Sequence, residues 1–325
     1  MYLTARSLTL GLAAAVALGT ASLSRDAVAW EPKKPVDFVI MAGAGGGADK
    51  MARFFQTIIE KHKLSSKPFV PNNKPGGSGA EALVHLKEKA GDDHTILVTL
   101  NSFYTTPLRQ PNLGVDVLSF APIARMAEDT FLLWVHKDSG ISDLDGFVKA
   151  AKAKGADWIM AGTGKAQEDE LLTEFLNRTY GLNMKYVPFK GGGDVAKQLA
   201  GKHANSTVNN PSEALGFYQA GTVLPIAAFT PERLAMFKET PTFKEKGKDY
   251  AYFMQRSVVG APGMSAEAQE YYRNLFRKVY ESPEWQGYMK KQSLQGEFLT
   301  GDALVDYWKG ALKTHKVMLK EIGQL

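Results

Sequence analysis

The chain has 325 residues, with 39 Lys and Arg against 34 Asp and Glu, a formal net charge of +5, and no cysteine. Zero cysteine excludes a disulfide-stapled scaffold and any thiolate metal site, so the core alone must hold the fold. The charges are interspersed, with no Lys/Arg run of the kind that marks a nucleic-acid surface.

Arg6 precedes an apolar stretch from Leu8 to Leu18, and Ala27-Val28-Ala29 supplies a small-x-small pattern before Trp30. This spacing predicts a secretory signal peptide over residues 1–29, cleaved after Ala29; its apolar part is too short to span a bilayer. The removed segment carries Arg6, Arg25 and Asp26, which leaves a mature chain of about 296 residues and about +4. That length suits two lobes of ordinary domain size. With no cysteine to carry a lipid anchor at the cleavage point, the expected location is the periplasm.

The mature chain opens with the apolar run Val36-Asp37-Phe38-Val39-Ile40-Met41, then "AGAGGGADK" over residues 42–50. Met51, Phe54, Phe55, Ile58 and Ile59 follow at helical spacing, so the expectation is strand, glycine turn, helix. The device recurs. Phe69-Val70-Pro71 runs into Lys74-Pro75-Gly76-Gly77-Ser78-Gly79, Trp158-Ile159-Met160 into Gly162-Thr163-Gly164-Lys165, and Tyr186-Val187-Pro188-Phe189 into Gly191-Gly192-Gly193-Asp194. Strands alternating with helices predict an α/β chain with mostly parallel sheets, whose ligands sit at the carboxyl edge. Two extended segments interrupt the pattern: Phe120–Arg125 with Phe131–Val135, and Tyr250–Met254 with Ser257–Pro262. They read as paired crossovers between lobes. The first lobe would then take residues 30–127 and 256–325, the second 128–255, and the helical tail with Tyr271, Tyr272, Leu275, Phe276 and Val279 would pack back on the first.

Enzyme readings find too little. Gly43, Gly45 and Ala48 fit a dinucleotide fingerprint, but the second strand ends in Asn72 and Asn73, where an acid is wanted for the ribose. Gly164-Lys165 is followed by Ala166, so it is no Walker loop, and Gly76-Gly77-Ser78-Gly79-Ala80 misses the nucleophile elbow at its last position. His62, His85, His94, His136, His203 and His315 show no pair at ligand spacing. No catalytic set, metal or cofactor is expected. Binding is what such turns do: a helix start offers unpaired N–H groups and partial positive charge, which a carboxylate takes up as readily as a phosphate. Lys165 and Gln167 add a cation and an amide beside the second turn.

At this point the chain resembles the substrate-binding proteins of tripartite tricarboxylate transporters (the Bug or TctC-like family). The likeness is carried by "VDFVIMAGAGGGADKMAR", "NNKPGGSGAEA", "FAPIARMAEDTFLLWVHKDSGISDLDGFVKAAKAKG", "YVPFKGGGDVAKQLAGKHA", "ERLAMFKETPTFKEKG" and "VVGAPGMS", in that order. It implies a two-lobed, type II Venus-flytrap fold with two crossovers, which captures a carboxylate and passes it to membrane permease subunits. It also implies where the ligand is held. The first clasp becomes Ala44, Gly45, Gly46, Gly47, Ala48 and Asp49; the second becomes Thr163, Gly164, Lys165 and Gln167. Many relatives have Gly-x-Gly-Ser at the second clasp, where this chain has Gly164-Lys165-Ala166-Gln167, so its donors there stay open. Asn101, Ser102 and Asn209, at strand ends facing the same cleft, are candidates for the distal end of the ligand. Asp49 has a second reading, as a cap of its own helix. The expected protein is a monomeric periplasmic solute-binding protein for a C4–C6 dicarboxylate of the adipate or succinate/malate type. The alternatives are a sensor-input protein of the same fold and a binder of an aromatic acid such as terephthalate.

Overall fold

The computed structural model describes residues 30–325, and the expected signal peptide, residues 1–29, lies outside the described residues. The chain first builds β1 (Val36–Ile40), α1 (Gly47–Lys61), β2 (Phe69–Asn73), α2 (Ala80–Glu88), β3 (Thr95–Thr99), α3 (Ser102–Arg109) and β4 (Ala121–Asp129). It then crosses over into β5 (Leu132–His136), α4 (Leu144–Lys154), β6 (Ile159–Thr163), α5 (Glu168–Tyr180), β7 (Lys185–Phe189), α6 (Gly192–Ala200), β8 (Ser206–Asn209), α7 (Pro211–Gln219) and β9 (Val223–Ala228). A second crossover returns it through β10 (Met254–Gly260) to α8 (Ala266–Glu281), α9 (Pro283–Gln292) and α10 (Gly301–Glu321).

Two five-stranded sheets result, ordered β2-β1-β3-β10-β4 and β7-β6-β8-β5-β9. In the first, β1 runs parallel to β2 and β3, while β10 is antiparallel to β3 and β4. In the second, β6 runs parallel to β7 and β8, while β5 is antiparallel to β8 and β9. The two orders are the same topology: β1 corresponds to β6, and each sheet borrows its antiparallel inner strand, β10 or β5, from across a crossover. This is the two-lobed α/β architecture that the alternation of strands and helices predicts. β4 continues in the first sheet to Asp129 and β10 joins it from Met254.

Each sheet has its own core. Every residue of β3 and β5 is buried, as inner strands covered on both faces must be. The stripe Met51, Phe55, Ile58 and Ile59 of α1 packs with Phe38, Phe69, Phe276 and Trp285. The second sheet buries Leu133, Val135, Phe147, Trp158, Leu172 and Phe229. Large side chains such as Trp134, Trp285 and Trp308 are fully buried, each worth about 1.5–3 kcal/mol over exposure, which is how a chain without disulfides is held. The tail divides its packing. Leu275, Phe276 and Val279 of α8 join the first core, and Leu304 and Trp308 of α10 cover the other face of the same sheet. Leu319, in the last turn of α10, joins instead the second core, which also holds Phe131 and Tyr252. No helix among the described residues is long and apolar enough to cross a membrane.

Candidate functional site

The carboxyl ends of the parallel strands face each other across a cleft of about 810 Å³. Four glycine-bearing turns wall it, one of them Pro75, Gly76 and Ser78 between β2 and α2. After β1 the chain closes a turn in which Gly46 N–H donates to Gly43 O (3.3 Å) and Gly45 takes φ +80°, a left-handed value that favours glycine. After β6, Thr163 and Gly164 lead into α5; after β7, Gly191 extends into Gly192, the first residue of α6. The helix starts behind these turns bring their N–H groups and partial positive charge to one place.

Of the residues expected from the sequence, Ala44, Gly45, Gly46, Gly47, Ala48, Thr163, Gly164 and Gln167 line this cleft. Asp49, Asn101, Ser102, Lys165 and Asn209 stand outside the lining. Asp49 folds beneath its turn, accepting from Gly45 N–H (2.8 Å), Arg53 Nε (3.0 Å) and Asn73 Nδ2 (2.9 Å). Burial opposes its ionisation, but Arg53, Gly45 N–H and Asn73 outweigh that and hold its carboxyl below the usual range. Asn101 is spent on the second crossover: Nδ2 donates to Tyr252 OH (3.1 Å) and Phe253 O (2.9 Å), and Oδ1 accepts from Gln255 N–H (3.0 Å). Ser102 Oγ is buried against Met41 Sδ. Asn209 donates to Gly192 O and to Glu213 Oε2, both at 3.1 Å. Lys165 is exposed, and its carbonyl accepts from Arg109 Nη1 (3.1 Å) and Ser78 Oγ (3.4 Å) of the opposite lobe. That contact joins the two lobes at the rim.

Sequence reasoning missed the charged wall. Arg256 of β10 and Asp129 of β4 form an ion pair with both residues buried, Arg256 Nε lying 3.1 Å from Asp129 Oδ2. Burial pushes Asp129 up to about 6, against the pull of Arg256. A Cβ at Gly47 would stand 2.7 Å from Arg256 Nη2, so the guanidinium approaches α1 only because residue 47 is glycine. Glu168 accepts from Asn101 N–H (2.9 Å) and Asp169 from Thr163 N–H (2.7 Å). Burial pushes both carboxyls up, Asp169 well above the ordinary value, with Glu213 adding to the push on each. Glu213, on α7, crosses the cleft: its Oε1 accepts from Gly47 N–H of α1 at 3.4 Å. Lys50, Lys190 and Lys197 also line the cleft and are exposed, Lys197 beside the exposed Asp194 (3.3 Å), while Arg256, Glu168 and Asp169 are buried in its wall. The signal available in sequence was weak. Glu168-Asp169-Glu170 reads as the ordinary acidic first turn of a helix, and Gly191-Gly192-Gly193 was visible as a glycine turn without its partner. Among the described residues no group of three or more His, Cys, Asp or Glu could hold a metal ion.

The family described as tripartite tricarboxylate transporter family receptor matches residues 51–324. A UPF0065 protein in the gbd 5′ region of Cupriavidus necator is 24% identical over 315 residues, 96% of this chain and 95% of that protein. Two solved structures from Rhodopseudomonas palustris share the fold. Rpa4515 with adipate has a TM-score of 0.82 at 20% identity, covering 90% of this chain and 98% of that one. MatC with bound malate has a TM-score of 0.80 at 18% identity, covering 89% and 99%.

Proposed function

The chain belongs to the tripartite tricarboxylate transporter receptor family, and from that premise we propose that its cleft captures a C4–C6 dicarboxylate for delivery to membrane permease subunits. Family and fold are those of periplasmic solute-binding proteins. The observation that carries the ligand class is the meeting of helix starts from two sheets, α1 from one and α5 and α6 from the other, around one cleft with Lys50, Lys190 and Lys197 among its lining. Amide dipoles and cations together favour an anion with more than one charged end. Two similarly folded proteins hold adipate and malate. Those ligands guide the choice of probes. On this reading the protein works by capture and closure as a monomer, without turnover.

Calorimetry and thermal melting with adipate, malate and succinate, each against a matched monoacid, test this reading. A diacid at a hundred times its dissociation constant should add about 2.7 kcal/mol of stability, seen as a raised Tm, and the monoacids should add less. A panel in which no dicarboxylate binds, or monoacids bind as tightly, would overturn it.

A further inference from the structure

At the start of α1, where an anion is expected, the protein has placed one of its own. Glu213 Oε1 accepts from Gly47 N–H at 3.4 Å, although the two residues belong to opposite lobes. The carboxylate is held on its far side by Asn209 Nδ2, 3.1 Å from Oε2. It also lies against the first residue of α6, where a Cβ at Gly192 would overlap it. One carboxylate is therefore packed between two helix starts, α1 and α6, that face each other across the cleft.

The surroundings make this position contested. Gly47 lies at the first helical position of α1, and Gly45 and Gly46 N–H are already taken, by Asp49 and by Gly43 O. Gly47 N–H is thus the donor of this turn whose partner comes from the other lobe. An arriving carboxylate and Glu213 cannot both occupy it, because two anions at one amide repel each other in a partly buried site. Asp169 and Glu168 stand close enough to feel the Glu213 charge, so the resident acid also disfavours any second anion nearby.

We propose that Glu213 is a built-in stand-in for the ligand's carboxylate, bridging the two lobes at the α1 start and giving way when the ligand binds. It rests on the carboxylate reading of the cleft. Glu213 then sets affinity and selectivity: every carboxylate ligand must first displace it, and only a ligand with further contacts to both lobes does so well. Gly192 fits the same role, since any side chain there would deny Glu213 its place.

The test uses the purified protein with Glu213→Ala and Glu213→Gln, with adipate and malate as probes. Circular dichroism and melting first establish that each variant is folded. Removing a resident charge-assisted hydrogen bond should tighten diacid binding by about tenfold or more, with Ala giving the larger gain because Gln keeps an acceptor. Without ligand, amide hydrogen exchange across residues 43–50 should quicken in Glu213→Ala while global stability stays near wild type. Unchanged or weaker diacid binding in both variants would overturn the proposal, and so would unchanged exchange. If no diacid binds any form but exchange quickens, the bridge stands and the carboxylate reading falls.

Discussion

The turn that starts α1 and the turn that starts α5 occupy equivalent places, after β1 in one sheet and after β6 in the other. Each uses an aspartate in the first helical turn to hold a turn amide: Asp49 takes Gly45 N–H at 2.8 Å and Asp169 takes Thr163 N–H at 2.7 Å. The local device is the same and the electrostatic outcome is opposite. Asp49 has Arg53 one turn along its helix and Asn73 from β2, and it titrates below the usual range. Burial pushes the Asp169 carboxyl well above it, and the neighbouring acids Glu213 and Glu168 add to the push. Arg256, the buried cation of this wall, is committed to Asp129. The same capping geometry thus leaves protonation to burial and to the charges around each carboxyl: a cation one turn along the helix for Asp49, and acids for Asp169.

The largest effect should come from breaking that commitment. Arg256→Met leaves Asp129 buried and unpaired next to an already acidic wall, at a cost of about 3–5 kcal/mol, read from urea unfolding. Asp129→Leu combined with Arg256→Met should recover most of the loss, since an apolar pair of similar volume avoids the desolvation penalty. A single-variant cost under about 1 kcal/mol would place the pair among weak exposed ones.

Next come the glycines that wall the two sides. Gly192→Ala drives a Cβ into the Glu213 carboxylate and should cost about 1–3 kcal/mol as overpacking does. Gly45→Ala meets nothing within 4 Å, yet its φ of +80° makes any side chain strained, for about 1 kcal/mol. The two differ in rescue. Glu213→Ala should restore Gly192→Ala and leave the Gly45→Ala deficit untouched, because only the first is steric. A double-mutant cycle that shows no coupling between residues 192 and 213 would mean that the carboxylate is free to move aside.

How much of this could be seen in sequence follows the same division. The strands, their alternation with helices and both crossovers were legible because apolar runs and bare glycine turns are local signals. Ala44 to Ala48 with Thr163, Gly164 and Gln167, the clasp residues that the family resemblance implied, line the candidate cleft. The charged half was not legible, because Asp129, Glu168, Glu213 and Arg256 come from four separate elements and only the fold brings them together. Asn101 shows the converse. It lies at a strand end, as the sequence suggested, but its amide is consumed by Tyr252, Phe253 and Gln255 where the chain enters the returning strand β10, which no local pattern announces. Lys165 faces solvent and contributes its carbonyl to the rim contact, a backbone role that residue type does not predict.

The smallest expected effect is also the sharpest test of the comparison, since one kind of substitution is made at two equivalent sites. Asp49 has a depressed folded pKa, so its contribution is present above the unfolded value of about 4 and is lost as pH falls through the folded value. Asp49→Asn should therefore cost about 1 kcal/mol at neutral pH through weaker hydrogen bonds to Gly45 and Arg53, and the cost should vanish in acid. Asp169 has a raised folded pKa, so the folded state binds more protons than the unfolded one between the two values. Its contribution is greatest below about pH 4 and declines as pH rises toward the folded value. Asp169→Asn keeps an oxygen for Thr163 N–H and removes that decline, so the variant should be more stable than wild type at neutral pH and close to it in acid. Urea unfolding of both variants from pH 3 to 8 reads the sign directly. If both lose stability at neutral pH, burial and the acids beside Asp169 do not raise it as described, and the contrast between the two turns falls.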